Sequence, residues 1–123
     1  MTQRTDWGVW NIKTMEIKIM EYKKIPSKFQ VGGQEVEVRP VERCEDNTIG
    51  SCMLASGYIE IAEKHSKDSI QSQTSKENTF YHELTHAILR TMGKTELNDD
   101  ESFVCCFSGF LTEAMKNAYF KED

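Results

Sequence analysis

Two of the chain's three histidines, His82 and His86, stand four residues apart in the run FYHELTHAIL, with Glu83 directly after the first. On a helix this spacing puts both imidazoles within about 40° of each other around the axis, so both can reach one ion roughly 2 Å from each ligating nitrogen. Neutral imidazole at that spacing suits zinc. Glu83 falls about 100° round from His82, too far for easy ligation but close enough to hold a water on the metal, which is the position of a general base. The chemistry available to such a set is hydrolysis, by attack of a zinc-bound water activated by Glu83 and later proton transfer to the leaving amine. Chance alone yields HExxH in a chain of this composition at roughly the one per cent level.

A zinc site needs a third protein ligand, because two imidazoles leave too many positions to water. Glu101 is the leading choice, since two antiparallel helices joined by a short turn bring the start of the second toward the HELTH face. Cys105, one turn beyond on the same stripe, is a softer alternative; Asp99 and Asp100 have shorter reach.

The elements that must position these groups are readable from pattern. Thr74 and Glu77 stand in capping-box spacing, periodic residues run to Met92, and Gly93 offers a C-cap, which predicts a helix with Phe80, Leu84, Ala87, Ile88 and Thr91 on its core face. A second helix follows the turn GKTELN, with Asn98 and Glu101 in the same capping spacing and an apolar face from Phe103, Val104, Phe107, Leu111, Ala114, Met115 and Ala118. Upstream, Gly32-Gly33 supplies turn chemistry for a hairpin whose second strand alternates Val36, Val38 and Val41 with Glu35, Glu37 and Arg39. CMLASGYIEIAE reads as further β structure, and the Ser-rich run from His65 to Thr74 as a loop that can act as a lid. Residues 15–24 fit a strand or a short helix equally, and residues 1–14 read as an arm ahead of a single domain, 15–123.

Composition sets the outer limits. With 38% hydrophobic and 28% charged residues the chain belongs to the folded globular class, and a net charge of −5 argues against nucleic acid or an anionic membrane as partner. No window approaches the length of a membrane span and no apolar leader follows the N-terminus, which predicts a cytoplasmic protein. Among four cysteines, Cys105 and Cys106 are adjacent and lack a partner base, so they read as small buried hydrophobes; Cys44 and Cys52 could bridge across a hairpin.

His82-Glu83-Leu84-Thr85-His86 followed by Glu101 resembles the gluzincin type of zincin-like zinc metallopeptidases. TFYHELTHAIL with DESFVCCFSGFL is similar to short phage and mobile-element metallopeptidases and, more distantly, to the ImmA/IrrE type. The resemblance spans residues 49–120. It implies an α+β, minimal zincin-like fold: a small, mainly antiparallel sheet packed on the HExxH helix, followed by a second C-terminal helix. It further implies one zinc ion held by His82, His86 and Glu101, with Glu83 as catalytic base and a narrow peptide or protein substrate. An edge strand beside the helix would hold that substrate, with Gly57, Tyr58 and Ile59 of GYIEIA placed to do so; His65 is a candidate to polarise the substrate carbonyl. The shorter gap to the glutamate and the absence of a second lobe distinguish the chain from thermolysin-like enzymes. The rival expectation is a zinc-binding regulatory or interaction module without turnover.

Overall fold

The computed structural model describes residues 25–121; the expected arm, 1–14, and the segment 15–24 lie outside them. A hairpin comes first. Strand β1, Lys28–Val31, turns at Gly32 and Gly33 into β2, Gln34–Val41, with Phe29 opposite Val36. Both glycines have positive φ, 58° and 81°, the left-handed backbone that a two-residue hairpin turn requires. Strand β3, Gly50–Met53, passes through a single 3₁₀ turn, Leu54–Ser56, into β4, Tyr58–Ala62. The four strands form one mixed sheet in the order β1-β2-β4-β3, with β2 and β4 parallel and the other two pairs antiparallel. The fold is therefore α+β with a mainly antiparallel sheet. The run expected as a loop after His65 instead contains a small hairpin, β5 at Lys64–Ser66 and β6 at Ser69–Ile70.

Helix α1, Gln73–Met92, carries the HELTH run. Its cap is Ser72, whose hydroxyl accepts from the Ser75 amide at 3.1 Å, rather than the expected Thr74–Glu77 pair; Gly93 closes the other end with φ 73°. A short α2, Thr95–Asn98, and then α3, Glu101–Lys116, complete the described chain. No described helix is long and apolar enough to cross a membrane.

The core lies between the sheet and α1. Val36, Val38, Ile59, Ile61, Phe80 and Ala87 are buried there, with the Phe29 ring edge-on to Phe80 at 5.8 Å. Each of the Val, Ile and Phe side chains contributes on the order of 2 kcal/mol by leaving water. α1 is also buried on a second side. Thr85 and Leu89 are covered there, because α3 packs antiparallel along the helix, joined through Thr112 to Asn78 and Lys116 to Thr74, whereas Thr79 and Glu83 are covered by β3 at Gly50. A buried Gln71 ties the sheet to the helix, donating to the Ala62 carbonyl at 2.6 Å and accepting from the Ser75 and Thr79 hydroxyls.

The apolar face expected of the second helix is corrected by its packing. α3 meets α1 through Val104, Ser108 and Thr112, one turn apart, while Phe107 is 47% and Phe110 69% exposed. Small residues on the buried stripe let the two axes approach closely, and that closeness puts Glu101 within reach of α1.

Candidate metal centre

Three side chains converge at the crossing of α1 and α3. The Glu101 carboxylate places Oε1 3.0 Å from His86 Nε2 and Oε2 3.4 Å from His82 Nε2, and all three ligand atoms fall within 4.8 Å of one another. Two ligands each about 2.05 Å from a tetrahedral ion are separated by roughly 3.3 Å, and the two carboxylate–imidazole spacings lie close to that value. The set expected from the motif is thus brought together.

Asn98, whose spacing predicts a cap for the second helix, shapes this set instead. Asn98 does not cap α3 with Glu101; Asp100 does, accepting from the Phe103 amide at 3.0 Å. That releases both side chains. Glu101 swings toward the histidines, and Asn98 Oδ1, an acceptor only, lies 2.7 Å from His86 Nδ1. The ring must therefore carry its proton on Nδ1, which leaves a lone pair on Nε2 in the neutral imidazole. That lone pair faces a carboxylate oxygen. Two acceptors 3.0 Å apart repel unless a cation, or a second proton on the ring, sits between them. Burial lowers the pKa of His82 and keeps its imidazole neutral, which opposes the rise caused by Glu101 and is joined by the nearby His86. The donor set suits a divalent metal.

The alternative third ligands fall away on geometry. Cys105 Sγ lies 3.9 Å from His82 Nδ1, the nitrogen turned away from the converging atoms, and Asp100 is engaged as the cap of α3. Asp99 is exposed and outside the group. Cys105 and Cys106 are exposed rather than buried, whereas Cys44 and Cys52 are buried free thiols whose pKa burial pushes up.

Glu83 takes a different position from the ligands. It is only 8% exposed, lodged against β3 where Gly50 passes; a Cβ on Gly50 would collide with the Thr79 methyl and crowd the Glu83 carboxyl. Burial raises the Glu83 pKa to about 7, against the pull of His86 and Arg90 and with a smaller push from Glu101. A cleft of about 260 Å³ opens beside it, lined by Thr48, Ile49, Gly50, Asn78, Thr79 and His82 as well as Glu83. A larger hollow of about 530 Å³, lined by Glu42, Arg43, Asn47, Lys64 and Lys67, holds none of the converging groups.

The substrate-strand expectation is corrected by topology. β4 lies between β2 and β3 and is hydrogen-bonded on both sides, so Gly57, Tyr58 and Ile59 have no free edge to offer, and Ile59 is fully buried in the core. Tyr58 instead carries the Arg39 guanidinium 4.0 Å above its ring. His65 lies on β5, exposed and outside the cleft. The free edge beside α1 belongs to β3. Because the Ile49 carbonyl bonds to the Ala62 amide, the alternation of an antiparallel pair turns Gly50 and Cys52 outward. Thr48 Oγ1 donates to the Gly50 carbonyl at 3.1 Å and Arg90 to the Cys52 carbonyl at 3.2 Å, so both outward acceptors carry side-chain donors.

No protein-family model, curated protein or solved structure matches the chain.

Replacing Asn98 by alanine should weaken zinc binding by about 10- to 100-fold, the usual effect of removing the group that orients a histidine ligand. Competition with a chromogenic chelator measures it. An unchanged affinity would show that His86 needs no orienting partner.

Proposed function

We infer that the protein is a zinc-dependent metallopeptidase that hydrolyses peptide bonds in a narrow protein or peptide substrate. The supporting observation is the convergence of His82 Nε2, His86 Nε2 and the Glu101 carboxylate beside a buried Glu83. Zinc, when bound there, supplies a Lewis acid that activates water and polarises a carbonyl.

The chain's own residues supply the rest. Glu83, with its carboxyl near pH 7 before any metal is bound, can take up and return a proton under neutral conditions, as a general base and then a general acid must. Asn98 holds the His86 ring in the tautomer that presents Nε2. The outward edge of β3 offers a peptide backbone its partners, and the Thr48 and Arg90 donors stand where the peptide's own N–H groups would replace them. A cleft of about 260 Å³ admits one or two side chains, which favours a selected sequence over general digestion.

The reading is tested by metal analysis of protein purified without added zinc, followed by incubation with a mixed peptide library. One zinc per chain, lost in His82→Ala, together with cleavage that a chelator stops and zinc restores, is the expected result. Absence of stoichiometric metal would end the proposal at its first step, and stoichiometric zinc without any cleavage would identify a binding module.

A further inference from the structure

The side of α3 turned away from the metal centre carries an apolar stripe that nothing in the described chain covers. Phe103, Phe107, Phe110 and Ala114 recur at intervals of four, three and four residues, the spacing that keeps one helix face against a partner helix. The stripe is built of stacked rings: Phe103 and Phe107 lie 5.8 Å apart with planes at 19°. Exposure is 47% at Phe107 and 69% at Phe110, and the chain just beyond the helix adds Tyr119 at 84% and Phe120 at 79%. From Ser102 to Thr112 the helix has no charged residue at all. Taking about 200 Å² per aromatic side chain, Phe107 and Phe110 leave roughly 230 Å² in water on the helix, and Tyr119 and Phe120 beyond its end leave roughly 330 Å² more.

We propose that this stripe pairs with the same stripe of a second copy of the chain, antiparallel, about a two-fold axis passing between Phe107 and Phe110. The pattern is self-complementary in that register. Phe107 meets the partner's Phe110, and Phe103 meets the partner's Ala114, so a large ring faces a small side chain at each end of the contact. Glu113, the one charge flanking the stripe, falls beside the uncharged Ser102 and Cys106 of the partner rather than another Glu113. The antiparallel arrangement also opposes the two helix dipoles, and the closed two-fold uses each patch once. A lipid surface fits less well, because a net charge of −5 opposes anionic headgroups. The contact falls short of the ~800 Å² per partner of a standard interface, so the dimer exchanges with monomer in the micromolar range. Glu101 lies on another face of α3 and no residue of α3 lines the cleft, so the proposal stands independently of any peptidase activity.

Sedimentation analysis of the full chain tests it. At about 200 µM the wild type should approach twice the 14.2 kDa of the monomer, while Phe107→Glu and Phe110→Lys, each alone and with zinc content unchanged, should stay at one chain's mass. An equimolar mixture of the two variants should regain the dimer, because only the antiparallel register sets the new glutamate against the new lysine. A wild type monomeric at that concentration overturns the proposal, and sedimentation of the monomer with anionic vesicles would assign the stripe to lipid instead. A dimer that forms without rescue in the mixture overturns the register. A large loss of melting temperature in both variants of a monomeric protein would show that the stripe is covered within one chain.

Discussion

Glu83→Gln should lower peptide hydrolysis by about 10³-fold, a loss of about 4 kcal/mol of transition-state stabilisation, while leaving the zinc in place. The separation of these two effects follows from where the residue sits. The ligand atoms belong to His82, His86 and Glu101, and they converge without help from Glu83, whose carboxyl is tucked between α1 and the Gly50 stretch of β3. Glutamine keeps the size but cannot take a proton. Its effect should fall on kcat with KM little changed, since the group acts on a proton in flight rather than on the bound peptide. His86→Ala should behave differently, losing metal and activity together. Parallel zinc determination and initial rates on a cleaved library peptide distinguish the two variants, and a Glu83→Gln protein of undiminished rate would remove Glu83 from the chemistry.

The parts of this site that were legible in the sequence are those fixed by one helix's own geometry. His82, Glu83 and His86 keep their relations wherever the helix goes, so HELTH could be read directly, and Phe80 and Ala87 marked the side that faces the sheet. The Gly32-Gly33 hairpin was equally local. What was misread depended on neighbours. GYIEIA has the alternation of a half-wet strand, but its place in the sheet is decided by which strands flank it, and β2 and β3 flank it on both sides. Asn98 and Glu101 have capping-box spacing, yet Asp100 is two residues closer to the helix start and takes the cap, freeing both for the metal centre. The signal was present as three consecutive side chains of capping type, Asn98, Asp99 and Asp100; only the fold chooses among them. The α3 face was misjudged for a related reason. Ser108 and Thr112 look solvent-facing in sequence, but their small volume and their hydroxyls, which can bond to their own helix, make them suitable for a close helix crossing.

The same Glu83 should set the stability of the metal-free protein against pH. Its carboxyl titrates near 4.5 in an unfolded chain and at about 7 in the fold, because burial disfavours the charged form. Below about pH 4.5 both states hold the proton and the group costs nothing. Between 4.5 and 7 the unfolded chain releases its proton while the native state retains it, so the unfolded state gains free energy that the native state does not, and stability falls as pH rises. Above 7 the native state ionises too, and the loss levels off at about 3 kcal/mol, or on the order of 10 °C in melting temperature. Burial of His82 acts in the opposite direction, favouring the fold as pH rises through its ordinary range, so the raw curve mixes both. Comparison with Glu83→Gln removes that ambiguity. In chelator-treated protein the variant should be more stable than wild type at pH 8 and near parity at pH 4.5, with the gap opening across that window. Zinc should close it, because a cation at the three ligands favours the ionised carboxylate that burial alone opposes. Urea denaturation at a series of pH values, with and without zinc, reads all three effects; parallel curves for the two proteins would mean that Glu83 is ionised in the fold at low cost, and its burial would then have no bearing on its proton.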